Sequence, residues 1–243
     1  CFPCQRFSHA GKKRADDTRG QLYLDFVRAT KHIEPNYIIG ENVKGLLSRK
    51  TSSGENFIDI IVKAFNDIGY TCEYKLFPTV NYGVPQKRER LLIVGWKDPK
   101  YVHKWPDEVD ADVSLRNILE FSMDGTIEVP KELIDQAGVA EESILIGEGE
   151  PEGVVHPYLT DRANLRGVSY GGKDISEYCF SFGKRRSPVH CEIVDITKPS
   201  KTIISTYDHQ PRLFVAQKVG ETYYLRPYTV NELKQIQGFP KDY

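Results

Sequence analysis

The chain has 243 residues, a formal net charge of −1 and a composition typical of a globular protein. No apolar run approaches the ~20 residues that a membrane-spanning helix needs. The five cysteines show no pairing pattern, and we expect neither a secretory leader nor a disulfide scaffold. We therefore expect a soluble intracellular protein. Affinity for nucleic acid would have to come from local basic patches, because the net charge is close to zero.

The first hundred residues alternate between helical and strand patterns. Apolar residues at helical spacing predict one helix over residues 21–33 and a second from about 56 to 68, which Gly69 closes. Apolar runs predict three short strands: Tyr37–Gly40, Tyr70–Phe77 and Arg90–Trp96. This order predicts an α/β fold, part of a doubly wound sheet with its reactive loops at the carboxyl ends of the strands.

The second half of the chain differs in composition. Acidic residues crowd the stretch from Asp107 to Glu152, whereas the stretch from His156 to His190 is rich in glycine and basic residues. The shift near residues 98–107 predicts a domain boundary, with a first domain at 1–98, a smaller, irregular, β-rich domain at 99–200 and a return segment at 201–243. The Gly- and Arg-rich stretch is typical of a recognition surface built from loops.

The first motif is Pro3-Cys4-Gln5 within CFPCQRFS, and its spacing permits three kinds of chemistry. Cys4 could form a redox pair with Cys1, supply half of a metal site, or act alone as a reactive thiol, with nearby lysines stabilising its thiolate. A zinc site would have to combine residues that lack a second close-spaced pair: Cys1, Cys4, Cys179, His190 and Cys191. We therefore predict no metal site.

Two further motifs place charged groups near the same predicted sheet edge. Glu41 follows the apolar YIIG run, so its carboxylate could exchange a proton beside the thiol. Arg88 and Arg90 lie in QKRER, just before the third predicted strand. Their planar guanidinium groups suit a carbonyl oxygen or a phosphate.

The ordered set of motifs resembles that of the DNA (cytosine-5) methyltransferase family. The matching segments are PCQRFS, DTRGQL, ENV, QKRER and, near the end of the chain, QGFP at Gln237–Pro240. The resemblance implies a Rossmann-like methyltransferase sheet in residues 1–98. It also implies a target-recognition domain in residues 99–200, and a helix ending in QGFP that links the two.

The resemblance implies an enzyme that transfers a methyl group from S-adenosylmethionine to carbon 5 of a cytosine flipped out of DNA. The Cys4 thiolate would attack carbon 6 of the ring. Glu41 would share a proton with ring nitrogen 3, and Arg90 would hold the carbonyl oxygen of the base. Arg88 would support the site or bind a phosphate.

The same resemblance implies the binding residues. The cofactor is S-adenosylmethionine, with S-adenosylhomocysteine as its product and no metal, and its expected contacts are Pro3, Leu22 and Asn42. The partner is double-stranded DNA. Its expected contacts carry side chains that bind phosphates or base edges: Gln5, Ser8, Lys12, Lys13, Gln86, Lys184, Arg185 and Arg186.

Parts of the family pattern lie outside this sequence. The family has a Gly-rich cofactor turn before the PCQ motif and an Asn-Ser helix start after QGFP, so we expect a truncated or split enzyme whose cofactor pocket a second chain or missing segments complete. Two alternatives are a transfer-RNA cytosine-5 methyltransferase and a non-catalytic DNA-binding subunit. The compartment would be the cytoplasm of a prokaryote, or a nucleus or viral factory. Specificity for the target sequence would come from side chains between Trp105 and Pro199 that reach base edges in the major groove.

Overall fold

The computed structural model describes residues 22–51, 53–155, 169–170, 173–174, 192–208 and 211–243. The chain divides into two compact units. The first comprises Cys1–Tyr82 and Arg88–Asp110, and the second comprises Gly83–Lys87 and Ala111–Tyr243. The division into domains at residues 98 and 200 stays a prediction.

The described residues form short helices and strands in alternation. The α-helices are α1 (Tyr23–Ile33), α2 (Phe57–Asn66), α3 (Lys131–Ala137) and α4 (Val230–Ile236). The longer strands are β1 (Tyr37–Val43), β2 (Thr71–Pro78), β4 (Glu89–Trp96), β11 (Leu213–Val219) and β12 (Thr222–Pro227). The shorter strands are β3 (Gln86–Lys87), β5 (Ile127–Val129), β6 (Ile144–Ile146), β7 (Ser169–Tyr170), β8 (Lys173–Asp174), β9 (Glu192–Ile193) and β10 (Ser200–Lys201).

The first unit contains a three-stranded sheet in the order β1-β4-β2. The central strand β4 is antiparallel to both neighbours, so β1 and β2 run in the same direction on either side of it. The apolar face of α2 presents Phe57, Ile61 and Phe65, which pack with Ile38 of β1 and Ile93 of β4 in one buried cluster. The helices and strands predicted for this half of the chain are confirmed.

The first strand is longer than its sequence predicts. β1 continues through Glu41 and Asn42 to Val43, because β4 pairs with it along its whole length, from Tyr37 opposite Trp96 to Val43 opposite Arg90. The expectation that ENV follows the strand is therefore wrong. The side chains of these three residues therefore point alternately to the two faces of the sheet, as strand geometry requires, whereas in a loop their directions would not be fixed.

An aromatic cluster covers part of the sheet face that is turned away from α2. Residues 97–110 leave β4 and bring His103 between two tryptophans, with ring centroids 5.9 Å from Trp96 and 4.4 Å from Trp105. The hydroxyl of Tyr37 on β1 lies 2.6 Å from Nδ1 of His103. Side chains alternate along a strand, so Glu41 lies on the same face of β1 as Tyr37.

The second unit is built around strand β11, which is buried on both faces. Its neighbours form the sheet order β5-β12-β11-β6, and β9 also pairs with β11. Phe214 and Ala216 pack in a cluster with Leu133 of α3, whereas Val215 packs in a separate cluster with Ile236 of α4. A strand covered on both sides reads as a continuous apolar run, as LFVA does here.

A buried ion pair crosses the second unit. The Arg226 side chain, 1% exposed, contacts both carboxylate oxygens of Glu232 at 2.7 and 2.8 Å. Arg226 also donates to the Gln217 side chain and to the backbone carbonyl of Glu120. Glu232 completes a capping box with Thr229 at the start of α4. The pair therefore joins two strands, a loop and a helix.

The mixed α/β fold with an irregular, β-rich second part is confirmed. Within the described ranges, no helix is long and apolar enough to span a bilayer.

Candidate active site

The ENV and QKRER motifs meet in an ion pair on the sheet of the first unit. Glu41 on β1 lies opposite Leu92 on the paired strand β4, two residues along from Arg90. The side chains of Glu41 and Arg90 therefore lie on the same face of the sheet. The Nε atom of Arg90 is 2.8 Å from Oε1 of Glu41. The side chains are 24% exposed for Arg90 and 38% for Glu41, so both can still reach a ligand.

The guanidinium of Arg90 is held on a second side. Its Nη1 atom donates to the backbone carbonyl of Glu89 at 2.8 Å. The Glu89 side chain in turn accepts from Lys44, at the turn after β1, at 2.9 and 3.1 Å. A hydrogen-bond donor group and an acceptor group thus lie together in the Glu41–Arg90 pair, which suits one edge of a planar heterocycle.

Arg88 is fixed through its backbone. Its carbonyl accepts from the backbone N–H of Thr79 at 2.8 Å and from the Thr79 hydroxyl at 3.0 Å. The Thr79 hydroxyl also accepts from the Arg88 N–H at 3.3 Å. Hydrogen bonds therefore fix the backbone of Arg88, two residues before Arg90.

Two of the predicted cofactor residues, Asn42 and Leu22, are among the described residues. Asn42 is entirely buried on β1, and its Oδ1 accepts from the backbone N–H of Val43 at 2.9 Å. Leu22 is half-buried and directly precedes α1. An apolar side chain and a buried amide are compatible with the mixed wall of a cofactor pocket.

Gln86 has a different position from the one its predicted role suggests. The side chain is 1% exposed, and its Nε2 donates to the backbone carbonyl of Ile236 at 3.3 Å within the second unit. The expected contact between Gln86 and DNA stays a prediction, and it would require this side chain to leave its buried position. The sequence around Gln86 contains no pattern that predicts the burial of this side chain.

Most of the other predicted site residues lie outside the described residues. They include the proposed nucleophile, one cofactor contact and the remaining DNA contacts: Cys4, Pro3, Gln5, Ser8, Lys12, Lys13, Lys184, Arg185 and Arg186. The redox partner Cys1 and the zinc ligands considered above, Cys179, His190 and Cys191, lie there too. The part of the chain that is described contains no cluster of three metal-binding side chains.

The cysteine that the structure describes is Cys72 on β2. It is unbridged, and burial raises the pKa of its thiol to about 11. A Cβ atom at Gly95 would lie 2.7 Å from the Cys72 sulfur, so the thiol is closely packed. Its position suits a core residue rather than a nucleophile.

The fold is similar to that of a solved protein structure from Escherichia coli. A crystal structure of a prophage-encoded protein from Escherichia coli, described as a candidate DNA modification methyltransferase, aligns with a TM-score of 0.50 and 18% sequence identity. The alignment covers 99% of this chain and 67% of that one. At this identity, the match defines the fold class alone.

Sequence relatives identify the family. A family model described as C-5 cytosine-specific DNA methylase matches residues 1–243. The Type II methyltransferase M.MthTI of Methanothermobacter thermautotrophicus is 30% identical over 248 residues, covering 99% of this chain and 67% of that protein. This chain therefore belongs to the C-5 cytosine-specific DNA methylase family.

Other relatives match a shorter part of the chain more closely. The Type II methyltransferase M.Eco47II of Escherichia coli is 39% identical over 124 residues, or 49% of this chain and 29% of that protein. M.PspPI of a Psychrobacter species is 43% identical over 102 residues, covering 41% of this chain and 24% of that protein. The chain thus spans about two thirds of the length of M.MthTI, and these closer matches cover less than a third of their own proteins.

Proposed function

We propose that the protein is a DNA (cytosine-5) methyltransferase that methylates carbon 5 of a cytosine rotated out of the duplex, through a covalent adduct with Cys4. The observation that carries this proposal is the Glu41–Arg90 ion pair, which joins two motifs of the family on one sheet face. The base must leave the stack because its ring is inaccessible inside the duplex. The names of the relatives support sequence-specific methylation within a restriction-modification system.

The nucleophile is the thiolate of Cys4. Its sulfur bonds to carbon 6, and the electron pair of the 5,6 double bond moves to carbon 5. When bound, S-adenosylmethionine supplies the methyl group that carbon 5 takes. Loss of the carbon 5 proton to solvent then restores the double bond and expels the thiolate, so that Cys4 returns to its starting state.

Glu41 and Arg90 make the base electrophilic. The Glu41 carboxyl group shares a proton with ring nitrogen 3, which draws charge away as the sulfur attacks. The Arg90 guanidinium donates to the carbonyl oxygen of the base and, through its 2.8 Å contact, holds Glu41 in place. Arg88 supports the site or binds a neighbouring phosphate.

Leu22 and Asn42 belong to the wall that holds the cofactor, together with Pro3. Asn42 is fully buried and hydrogen-bonded to the backbone N–H of Val43, so it shapes the end of β1 rather than changing partner during the reaction. Leu22 offers an apolar surface at the start of α1. Double-stranded DNA is held by the basic and polar residues around Cys4 and by Lys184, Arg185 and Arg186.

The proposal is tested by trapping the adduct. The complete enzyme is incubated with S-adenosylmethionine and duplex DNA that contains 5-fluorocytosine, whose carbon 5 cannot lose a proton, and the covalent product is measured on a denaturing gel. The wild type should accumulate the adduct, and so should Cys1→Ser. Cys4→Ser should form none. An adduct with Cys4→Ser would overturn the proposal.

The role of the ion pair gives a quantitative prediction. We expect Glu41→Gln to slow single-turnover adduct formation by about 10²–10⁴-fold, because proton sharing with ring nitrogen 3 is lost. Glu89→Gln is the matched control, since it keeps the backbone carbonyl that holds Arg90 and changes only the exposed pair with Lys44. Equal rates for the two variants would contradict the role of Glu41.

A parallel reaction with transfer RNA as the substrate distinguishes methylation of DNA from methylation of RNA.

A further inference from the structure

We propose that Thr79 is a positioning residue that sets the orientation of the Arg90 guanidinium through the backbone of Arg88. The inference rests on the proposed function of Arg90, and it concerns a residue that lies outside both the ENV and the QKRER motif. Thr79, Arg88 and Arg90 all belong to the first unit, so every contact involved lies within that unit.

Thr79 lies where β2 ends, and Arg88 directly precedes β4. Pro78, the last residue of β2, lies opposite Glu89 and has no backbone N–H to donate across the pair. Thr79 is the next residue that can donate a backbone hydrogen bond, and its N–H bonds to the Arg88 carbonyl at 2.8 Å. The pairing of the two segments is thus extended by one residue, to the point at which QKRER enters β4.

The Thr79 hydroxyl group holds both backbone polar groups of Arg88. It donates to the Arg88 carbonyl at 3.0 Å and accepts from the Arg88 N–H at 3.3 Å, since one hydroxyl group can do both. Thr79 is half-buried, and hydrogen bonds that are shielded from water are stronger than exposed ones. A valine side chain has nearly the same shape but can form neither bond.

The fixed peptide group is linked to the Arg90 side chain through one residue. The Arg88 carbonyl belongs to the planar peptide group that precedes Glu89, and the Glu89 carbonyl belongs to the next peptide group. This second carbonyl accepts from Nη1 of Arg90 at 2.8 Å, and Nε of the same guanidinium contacts Glu41 at 2.8 Å. Rotation of the first peptide group would therefore also move the acceptor that holds the guanidinium. Misplacement of a catalytic group by about 1 Å can cost ~10²-fold in rate.

The test measures adduct formation by the complete enzyme in a single turnover on 5-fluorocytosine DNA. DNA and S-adenosylmethionine are saturating, so that the rate reports the chemical step rather than binding. Thr79→Val removes the hydroxyl group, and Thr79→Ser keeps it. Thr51→Val is the matched control, because the Thr51 hydroxyl accepts from the backbone N–H of Glu55 at 3.1 Å in a different segment of the same unit.

We expect Thr79→Val to slow adduct formation by roughly 10- to 100-fold. Thr79→Ser should react at nearly the wild-type rate, because the hydroxyl group is retained, and so should Thr51→Val. A normal rate for Thr79→Val would overturn the proposal, and so would an equally slow Thr79→Ser.

A double-mutant cycle distinguishes the positioning of Arg90 from a purely structural role. Arg90→Lys loses the planar fork that the Glu89 carbonyl orients. Thr79→Val should therefore slow the Arg90→Lys enzyme by a much smaller factor than it slows the wild type. Equal factors in the two backgrounds would show that Thr79 does not act through Arg90.

A second pair of variants protects the test against a general loss of folding, which the thermal unfolding midpoint reports. If Thr79→Val does not fold, Thr79→Ala is compared with Thr79→Ser, because these two variants differ only in the hydroxyl group. Equal rates for this pair would also overturn the proposal. Failure of the proposed function is seen separately, because Cys4→Ser would then still form an adduct or Arg90→Lys would react at the wild-type rate.

Discussion

At the scale of single residues, Glu41 and Arg90 show how two side chains of opposite charge form one chemical unit. The ion pair orients the carboxylate, and the carbonyl of Glu89 orients the guanidinium. A lysine at position 90 would keep the charge but lose the planar fork that permits contacts with the carboxylate, the carbonyl and a ligand at once. Position 90 therefore requires the planar shape of the guanidinium group as well as its positive charge.

The thiol of Cys72 should be unreactive at neutral pH. Burial raises its pKa to about 11, so only about one molecule in a thousand carries the thiolate at pH 8. We expect iodoacetamide at pH 8 to leave Cys72 unmodified in the folded protein and to alkylate it readily in urea, as measured by peptide mass spectrometry. Equal alkylation rates in the two conditions would show that the thiol is accessible.

Asp195 should make stability depend on pH. Burial alone would raise the pKa of its carboxyl group, but hydrogen bonds from Lys198, Thr197 and Ser143 outweigh burial and lower it. A lowered folded-state pKa contributes stability above the unfolded-state value of about 3.9, and this contribution disappears as the pH falls below it.

The Asp195 contribution can be measured by urea unfolding of the complete protein at several pH values. Asp195→Asn should be less stable than the wild type at pH 7, and the difference should shrink as the pH falls below about 4. Asp107→Asn, at an exposed position, is the control and should show little difference at any pH. A pH-independent deficit in Asp195→Asn would mean that its charge is not the cause.

At the scale of elements, the start of α4 depends on the buried Arg226–Glu232 pair. The Glu232 carboxylate completes the capping box of α4 and at the same time forms the ion pair with the guanidinium group of Arg226 on β12. Removing one partner leaves the other charge buried and unpaired, whereas the partner of an exposed pair is solvated by water. The helix and the strand are therefore coupled through this contact.

We expect Arg226→Met to lower the free energy of unfolding by about 3–5 kcal/mol. Lys131→Met, which removes the exposed ion pair with Asp135, should have a much smaller effect. Adding Glu232→Leu to Arg226→Met should restore part of the stability, because the uncompensated charge disappears. Equal effects of Arg226→Met and Lys131→Met, measured by denaturant titration, would contradict the burial argument.

At the scale of the whole molecule, a net charge of −1 means that the proposed binding of DNA depends on local groups of basic residues. Replacing Lys184, Arg185 and Arg186 by glutamine should make the dependence of log K on log salt concentration less steep, by about 0.9 for each phosphate that the variant no longer neutralises. The control replaces three lysines that the structure pairs with acids: Lys63, Lys131 and Lys218. Equal slopes for both triple variants would exclude the basic segment from DNA binding.

The sequence predicts local features well where local forces decide them. The apolar face of α2 and the runs in β2 and β4 are set by periodicity, so their positions could be predicted. The end of β1 could not, because it depends on how far the partner strand β4 extends. The motifs ENV and QKRER predict Glu41 and Arg90 as candidate site residues, but neither motif indicates how far apart these residues lie or that they share one face of the sheet.

The sequence by itself determined the family, the alternation of elements in the first half and the residue types of the candidate active site, since these depend on order and local pattern. The tertiary structure alone decided three other features. The ion pair of Glu41 with Arg90 requires strand register, the network of Arg226 joins residues more than a hundred positions apart, and the burial of Gln86 depends on α4. In each case the physical reason is the same: the partner that fixes the side chain is distant in sequence and becomes a neighbour only through packing.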